Sequence, residues 1–95
     1  MRLTLIGKPG CHLCDDARIA LSEVLTSEEV VRARLEITLE ELNMLDDAAL
    51  TAKYAEEIPV LLIDGRMHSY WHIDQKRLTA ALLKRSETKG ISNGA

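Results

Sequence analysis

The chain is expected to fold in the α/β class, as a four-stranded mixed sheet flanked by helices in the order β-α-β-α-β-β-α. Three observations carry this expectation. A short apolar run, Leu3-Thr4-Leu5-Ile6, stops before a Pro9-Gly10 turn, and a helical pattern follows it. A second apolar run, Val60-Leu61-Leu62-Ile63, meets the two-residue turn Asp64-Gly65 and returns. Between the two runs the apolar period changes from three-to-four residues to two.

Arg2 to Ile6 reads as a buried strand, short and apolar with a turn signal behind it. Asp15 to about Thr26 reads as a helix, because Leu13, Ala17, Leu21, Val24 and Leu25 share one stripe. Asp15 and Asp16 stand in its first turn, where carboxylates complement the helix dipole. Thr26-Ser27-Glu28-Glu29 reads as a break. From Ala33 the period becomes two: Ala33, Leu35 and Ile37 alternate with Arg34, Glu36 and Thr38, the pattern of a half-buried strand. These elements form a β-α-β unit, expected to have parallel strands and a right-handed crossover.

Leu39 to Leu45 has two readings. Thr38-Leu39-Glu40-Glu41 fits a capping box, while Asp46 or Asp47 equally well caps a shorter helix; the pattern favours a helix over Asp47 to Ala55. Val60 to Ile63, preceded by Pro59, reads as a strand. Asp64-Gly65 is a hairpin turn, and Arg66 to Tyr70 is the returning antiparallel strand, polar enough for a sheet edge. The last helix starts at Asp74, an N-cap. Ile73 and Leu78 have the spacing of a hydrophobic staple, and Leu78, Ala81 and Leu82 form the buried side. From Ser86 onward there is no periodicity. Residues 1–85 are therefore expected to form one domain and 86–95 a frayed tail.

With 95 residues, 46% hydrophobic, the chain suits one small domain. Trp71, Tyr54 and Tyr70 are the only aromatic residues, so the core must be mostly Leu, Ile, Val and Ala. The net charge of -3, from 12 basic and 15 acidic side chains, argues against nucleic-acid binding. No segment approaches the roughly 20 apolar residues that span a bilayer. The apolar N-terminal stretch is too short for a signal peptide. The expectation is a cytoplasmic monomer with no membrane or nucleic-acid partner.

Cys11 and Cys14 are the only cysteines, two residues apart in Lys8-Pro9-Gly10-Cys11-His12-Leu13-Cys14. In a reducing cytosol such a pair is catalytic or metal-binding rather than a structural staple. A strand, a turn and a helix that opens with C-x-x-C is a redox layout. The helix N-terminus, Lys8 and a protonated His12 favour a thiolate there; Asp15 and Asp16 oppose it.

On these residues the chain resembles the thioredoxin superfamily, and within it the glutaredoxins. More narrowly, it resembles a family of small bacterial glutaredoxin-like proteins. The resemblance rests on Lys8 to Asp15, Tyr54, Glu57-Ile58-Pro59-Val60, Asp64-Gly65 and Trp71-His72-Ile73-Asp74, and runs from about residue 2 to residue 84. It implies a thioredoxin fold and a disulfide oxidoreductase activity, with Cys11 attacking and Cys14 resolving. It also implies a cis bond between Ile58 and Pro59, facing the cysteines, with the backbone of Ile58 pairing to an extended substrate. The candidate substrate-binding residues are Lys8, His12, Ile58, Pro59, Trp71 and Asp74. No bound cofactor is implied. Glutathione or another low-molecular-weight thiol is the expected co-substrate, and a disulfide-containing protein or small-molecule thiol the expected partner. Two departures stand out. His12-Leu13 replaces the Pro-Tyr of dithiol glutaredoxins, and Tyr70-Trp71-His72 replaces the Gly-Gly that helps hold glutathione.

Other readings stay open at this point. His12 is either an exposed residue tuning the redox potential or a general base. Trp71 is either a hinge residue or a stacking platform. Lys8 is either a solvated turn residue or a partner for a substrate carboxylate. Asp74 is a helix cap or a contact to a substrate amine. Cys11, Cys14, His68 and His72 supply four zinc ligands, although the spacing matches no compact finger. A covalent c-type haem is excluded because residue 15 is Asp. A non-catalytic binding module on the same fold is the other rival.

Overall fold

The computed structural model describes the backbone of residues 1–94 and the side chains of residues 1–85. The elements are β1 (Arg2–Gly7), α1 (His12–Leu25), α2 (Glu28–Arg32), β2 (Thr38–Asn43), a 3-10 turn (Met44–Asp46), α3 (Ala48–Tyr54), β3 (Val60–Ile63), β4 (Arg66–Tyr70) and α4 (Gln75–Gly94). The expected tail from Ser86 onward lies outside the fully described residues.

The four strands form one mixed sheet in the order β2-β1-β3-β4. β1 runs parallel to β2 and antiparallel to β3, and β3 runs antiparallel to β4. Alternation along β1 and β3 supplies both faces. Leu3, Leu5, Leu61 and Ile63 pack against Ala17, Leu21 and Val24 of α1, Val30 of α2, and Leu78 and Leu82 of α4. Ile6 and Val60, on the other face, pack with Met44, Tyr54 and Ile58. Each fully buried leucine contributes about 1.5–3 kcal/mol relative to an exposed one.

Two expectations need correction. The second strand is not Ala33 to Thr38 but Thr38–Asn43, paired from Arg2↔Thr38 to Gly7↔Asn43. The alternation is real, since Leu35 and Ile37 pack on the core, but it belongs to an extended lead-in. The chain start holds that lead-in: Met1 donates to the Glu36 carbonyl at 2.9 Å and accepts from the Thr38 N–H at 3.0 Å. Thr38-Leu39-Glu40-Glu41 is therefore strand and not a capping box. Secondly, the expected break at Thr26 to Glu29 lasts only two residues. Ser27 opens the five-residue helix α2, which buries Val30.

The remaining elements follow the local chemistry. Asp47 caps α3 by accepting from the Ala49 N–H at 2.8 Å. Asp74 caps α4, accepting from the Arg77 N–H at 3.1 Å. In the hairpin, Asp64 has φ 49° and Gly65 φ 83°, the two positive values a tight primed turn requires.

Candidate active site

The site lies where β1 ends and α1 begins. A helix start leaves backbone N–H groups without internal partners, and a side chain at the N-cap normally accepts one of them. Here Cys11 is the N-cap, and its Sγ accepts from the Cys14 N–H at 3.2 Å. The Cys11 carbonyl accepts from the Asp15 N–H at 3.1 Å, so the helix is wound from its first residue. Cys11 is partly exposed and Cys14 is 2% exposed, and both are free thiols. Burial, and next the hydrogen bond with Cys11, push the Cys14 thiol from 9.0 up to about 11. The Lys8 backbone and the Arg18 charge act in the opposite direction.

Cys14 packs with Ile6, Ile58, Val60 and Tyr54 rather than with the core residues of its own helix, and Cys11 lies against the same cluster. This brings the two sulfurs to the segment before β3, where the Ile58–Pro59 peptide bond is cis. Ile58 and Pro59 are buried. Among the described residues, no backbone hydrogen bond engages the N–H or C=O of Ile58. Its neighbours are tied instead. The Trp71 N–H donates to the Pro59 carbonyl at 2.9 Å and reaches that of Glu57 at 3.3 Å, and the Trp71 indole N–H donates to the Glu56 carbonyl at 2.9 Å.

The other candidates lie around this centre. Lys8 is exposed on the turn and lines a cavity of about 270 Å³ together with Gly7, Cys14, Arg18 and Glu41. His12 is exposed at the first helical residue. Trp71 is half-exposed, with its ring edge-on to Tyr70. The Asp74 carboxylate is engaged with the start of α4. Leu13, expected on the buried stripe, is 38% exposed beside the cysteines.

Two residues near the site carried no sequence signal. Arg18 pairs with Asp15 at 3.0 Å and with Glu41 of β2 at 2.6 Å, so part of the acidity beside the cysteines is locally balanced. The Asp15-Arg18 spacing suits a helical pair, but Glu41 comes near only through the fold. The second residue is Gly7, on which Cys14 rests.

The histidines sit apart in role. His68 falls where β3 and β4 shift register and has no partner in the ladder, and its carbonyl accepts from the Arg77 guanidinium at 2.7 Å. Burial, then the Arg77 charge, hold its imidazole below the ordinary range. Among the described residues, no three His, Cys, Asp or Glu side chains gather as a metal-binding set. No helix is long and apolar enough to cross a membrane, among the residues described.

The comparisons agree with this architecture. An uncharacterized protein of Mycobacterium tuberculosis, Rv0508, is 30% identical over 83 residues, covering 87% of this chain and 84% of its own. The X-ray structure of the structural-genomics target XcR50 from X. campestris superposes with a TM-score of 0.65 at 34% identity, covering 84% of this chain and 93% of that one. The solution structure of Ne2328 from Nitrosomonas europaea gives a TM-score of 0.62 at 27% identity, with coverage of 84% and 88%. The fold is thioredoxin-like, as in these small neighbours. The model of the glutaredoxin-like domain (DUF836) matches residues 2–83, and the chain belongs to that family.

Proposed function

We propose that the protein is a thiol–disulfide oxidoreductase working through Cys11 and Cys14. The observation that carries this reading is the 3.2 Å approach of the Cys14 N–H to Cys11 Sγ at the N-cap of α1. It offers a hydrogen-bond donor to a sulfur that is reachable from solvent, and thiolates are the attacking species in disulfide exchange. Cys11 attacks a substrate disulfide, one substrate sulfur leaves as a thiol, and a mixed disulfide remains. Cys14, one turn into the helix, then attacks Cys11 and releases the second thiol. The protein ends with an internal disulfide and the substrate has gained two electrons.

The walls of the site support the same reading. The unengaged backbone of Ile58, beside Pro59, is free to pair with an extended substrate segment. Exposed Lys8 supplies a cation for a substrate carboxylate, while exposed Leu13 and Trp71 offer apolar contact. His12 stands beside the attacking sulfur in sequence and contributes positive charge when protonated. Asp74 acts first as a cap. The electrons reside on the two sulfurs, so no bound prosthetic group is needed. Glutathione or another low-molecular-weight thiol returns the oxidised protein to its dithiol form, in a reducing cytoplasm and with the protein as a monomer.

Turnover of hydroxyethyl disulfide with glutathione as reductant tests the proposal. Wild-type protein is expected to turn over and Cys11→Ser to lose turnover. A wild-type protein without turnover, with both thiols free, fits a binding module and rejects the enzyme reading.

A further inference from the structure

Gly7 differs from the two other glycines of the described loops and strands. Gly10 and Gly65 have φ of 76° and 83°, and a side chain there would meet open space. Gly7 is the reverse. It is the last residue of β1, paired with Asn43 in regular strand geometry, so its backbone does not call for glycine. What it lacks is room: a Cβ at Gly7 would lie 2.9 Å from Cys14 Sγ and 3.2 Å from Cys14 Cβ. Real side chains do not approach that closely. The Cys14 sulfur thus takes the space that a side chain at residue 7 would fill.

That placement sets the sulfur against the Gly7 backbone, and the polar backbone of Lys8 acts against the upward push of burial on the thiol. The same wall borders the cavity of about 270 Å³, which gives water a route to an otherwise buried thiol. Cys14 and its seat thus combine close packing and a polar outlet.

We infer that Gly7 is a positioning residue for the resolving step: lacking a side chain, it leaves Cys14 Sγ the seat at the end of β1, on the wall of the cavity, from which the sulfur closes the disulfide. The inference rests on the dithiol reading of the site. In the mixed disulfide, the Cys14 thiol gives its proton to water in the cavity. Its thiolate forms a bond to Cys11 Sγ, and the bond from Cys11 to the substrate sulfur breaks. The departing sulfur carries the electron pair away and takes a proton from solvent. Burial opposes the first event, and the polar wall of the cavity offsets that opposition.

Dithiobis-nitrobenzoate separates the two steps, because its coloured thiolate leaves once on attack by Cys11 and again on resolution by Cys14. Gly7→Ala is expected to release the first equivalent at the wild-type rate. The second should be slowed about tenfold as the displaced sulfur loses its alignment on Cys11, and its pH profile should move upward as the sulfur is pushed off the polar cavity wall. A second release with wild-type rate and pH profile overturns the inference and leaves the dithiol reading intact. Absence of the first release from the wild-type protein overturns both. Should Gly7→Ala melt too low to assay, adding Cys14→Ala tests the same contact: recovery of the melting temperature supports the seat, and no recovery overturns it.

Discussion

The Trp71 indole N–H donates to the Glu56 carbonyl across 2.9 Å, joining the loop after β4 to the segment that leads into Pro59. The Trp71 backbone adds a second tie, to the Pro59 carbonyl. Trp71 therefore acts as a clamp on one wall of the site while leaving half its surface exposed. Its φ of 65° is left-handed, a conformation that costs a bulky residue free energy and persists only where surrounding contacts enforce it.

Trp71→Phe keeps a ring but removes the indole donor. It is expected to lower stability by about 1 kcal/mol, the usual net worth of one hydrogen bond, and to raise KM for a disulfide substrate as the wall loosens. Urea denaturation and initial rates measure the two effects. An unchanged midpoint and an unchanged KM would contradict the clamp.

The Cys14 thiol is pushed up from 9.0 to about 11, chiefly by burial. Its proton stays bound in the folded state at pH values where the unfolded chain releases it. The stability that this contributes is fully present below pH 9 and is lost as the pH rises toward 11. Thermal melts of the reduced protein should fall across that window, and Cys14→Ala should flatten the fall. Alkylation mapped by mass at neutral pH should find Cys11 modified and Cys14 protected.

Asp64 accepts from the Arg2 N–H at 2.7 Å and pairs with Arg85 of α4. Its carboxyl is held below the ordinary value of 3.8, first by the Arg2 N–H and then, against some desolvation, by the charge of Arg85. A depressed folded value means stability present above the unfolded pKa and lost as the pH falls through the folded one. The carboxylate is 37% exposed, so screening limits the ion pair to less than about 1 kcal/mol. Asp64→Asn, which retains an acceptor and tolerates positive φ, should cost less than Asp64→Ala. Chemical denaturation at neutral pH and at pH 3 checks both the order and the sign.

Legibility in the sequence followed burial. β3, its turn and β4 were readable from a continuous apolar run, an Asp-Gly turn and a polar edge. The cap of α4 was readable from the Asp74 side chain. β2 was not, because it is an edge strand whose first four residues are exposed. Such a strand leaves no alternating trace, and the half-buried Leu35 and Ile37 before it imitate one. The helix α2 was missed because one buried valine in five residues makes no period. At the site, the cysteine pair announced itself by spacing. Gly7 and the Glu41 partner of Arg18 did not, since their roles arise only when α1 and β2 are folded against β1.

On the proposed function, Cys11 and Cys14 exchange electrons as one reversible pair. The most direct measurement equilibrates the protein against glutathione buffers of graded ratio and follows the species by mass. A single two-electron transition to an internal Cys11–Cys14 disulfide is expected, with a stable glutathione adduct on Cys11 when Cys14 is changed to Ser. A protein whose two thiols stay reduced, unlinked and free of adduct across the whole range would contradict it.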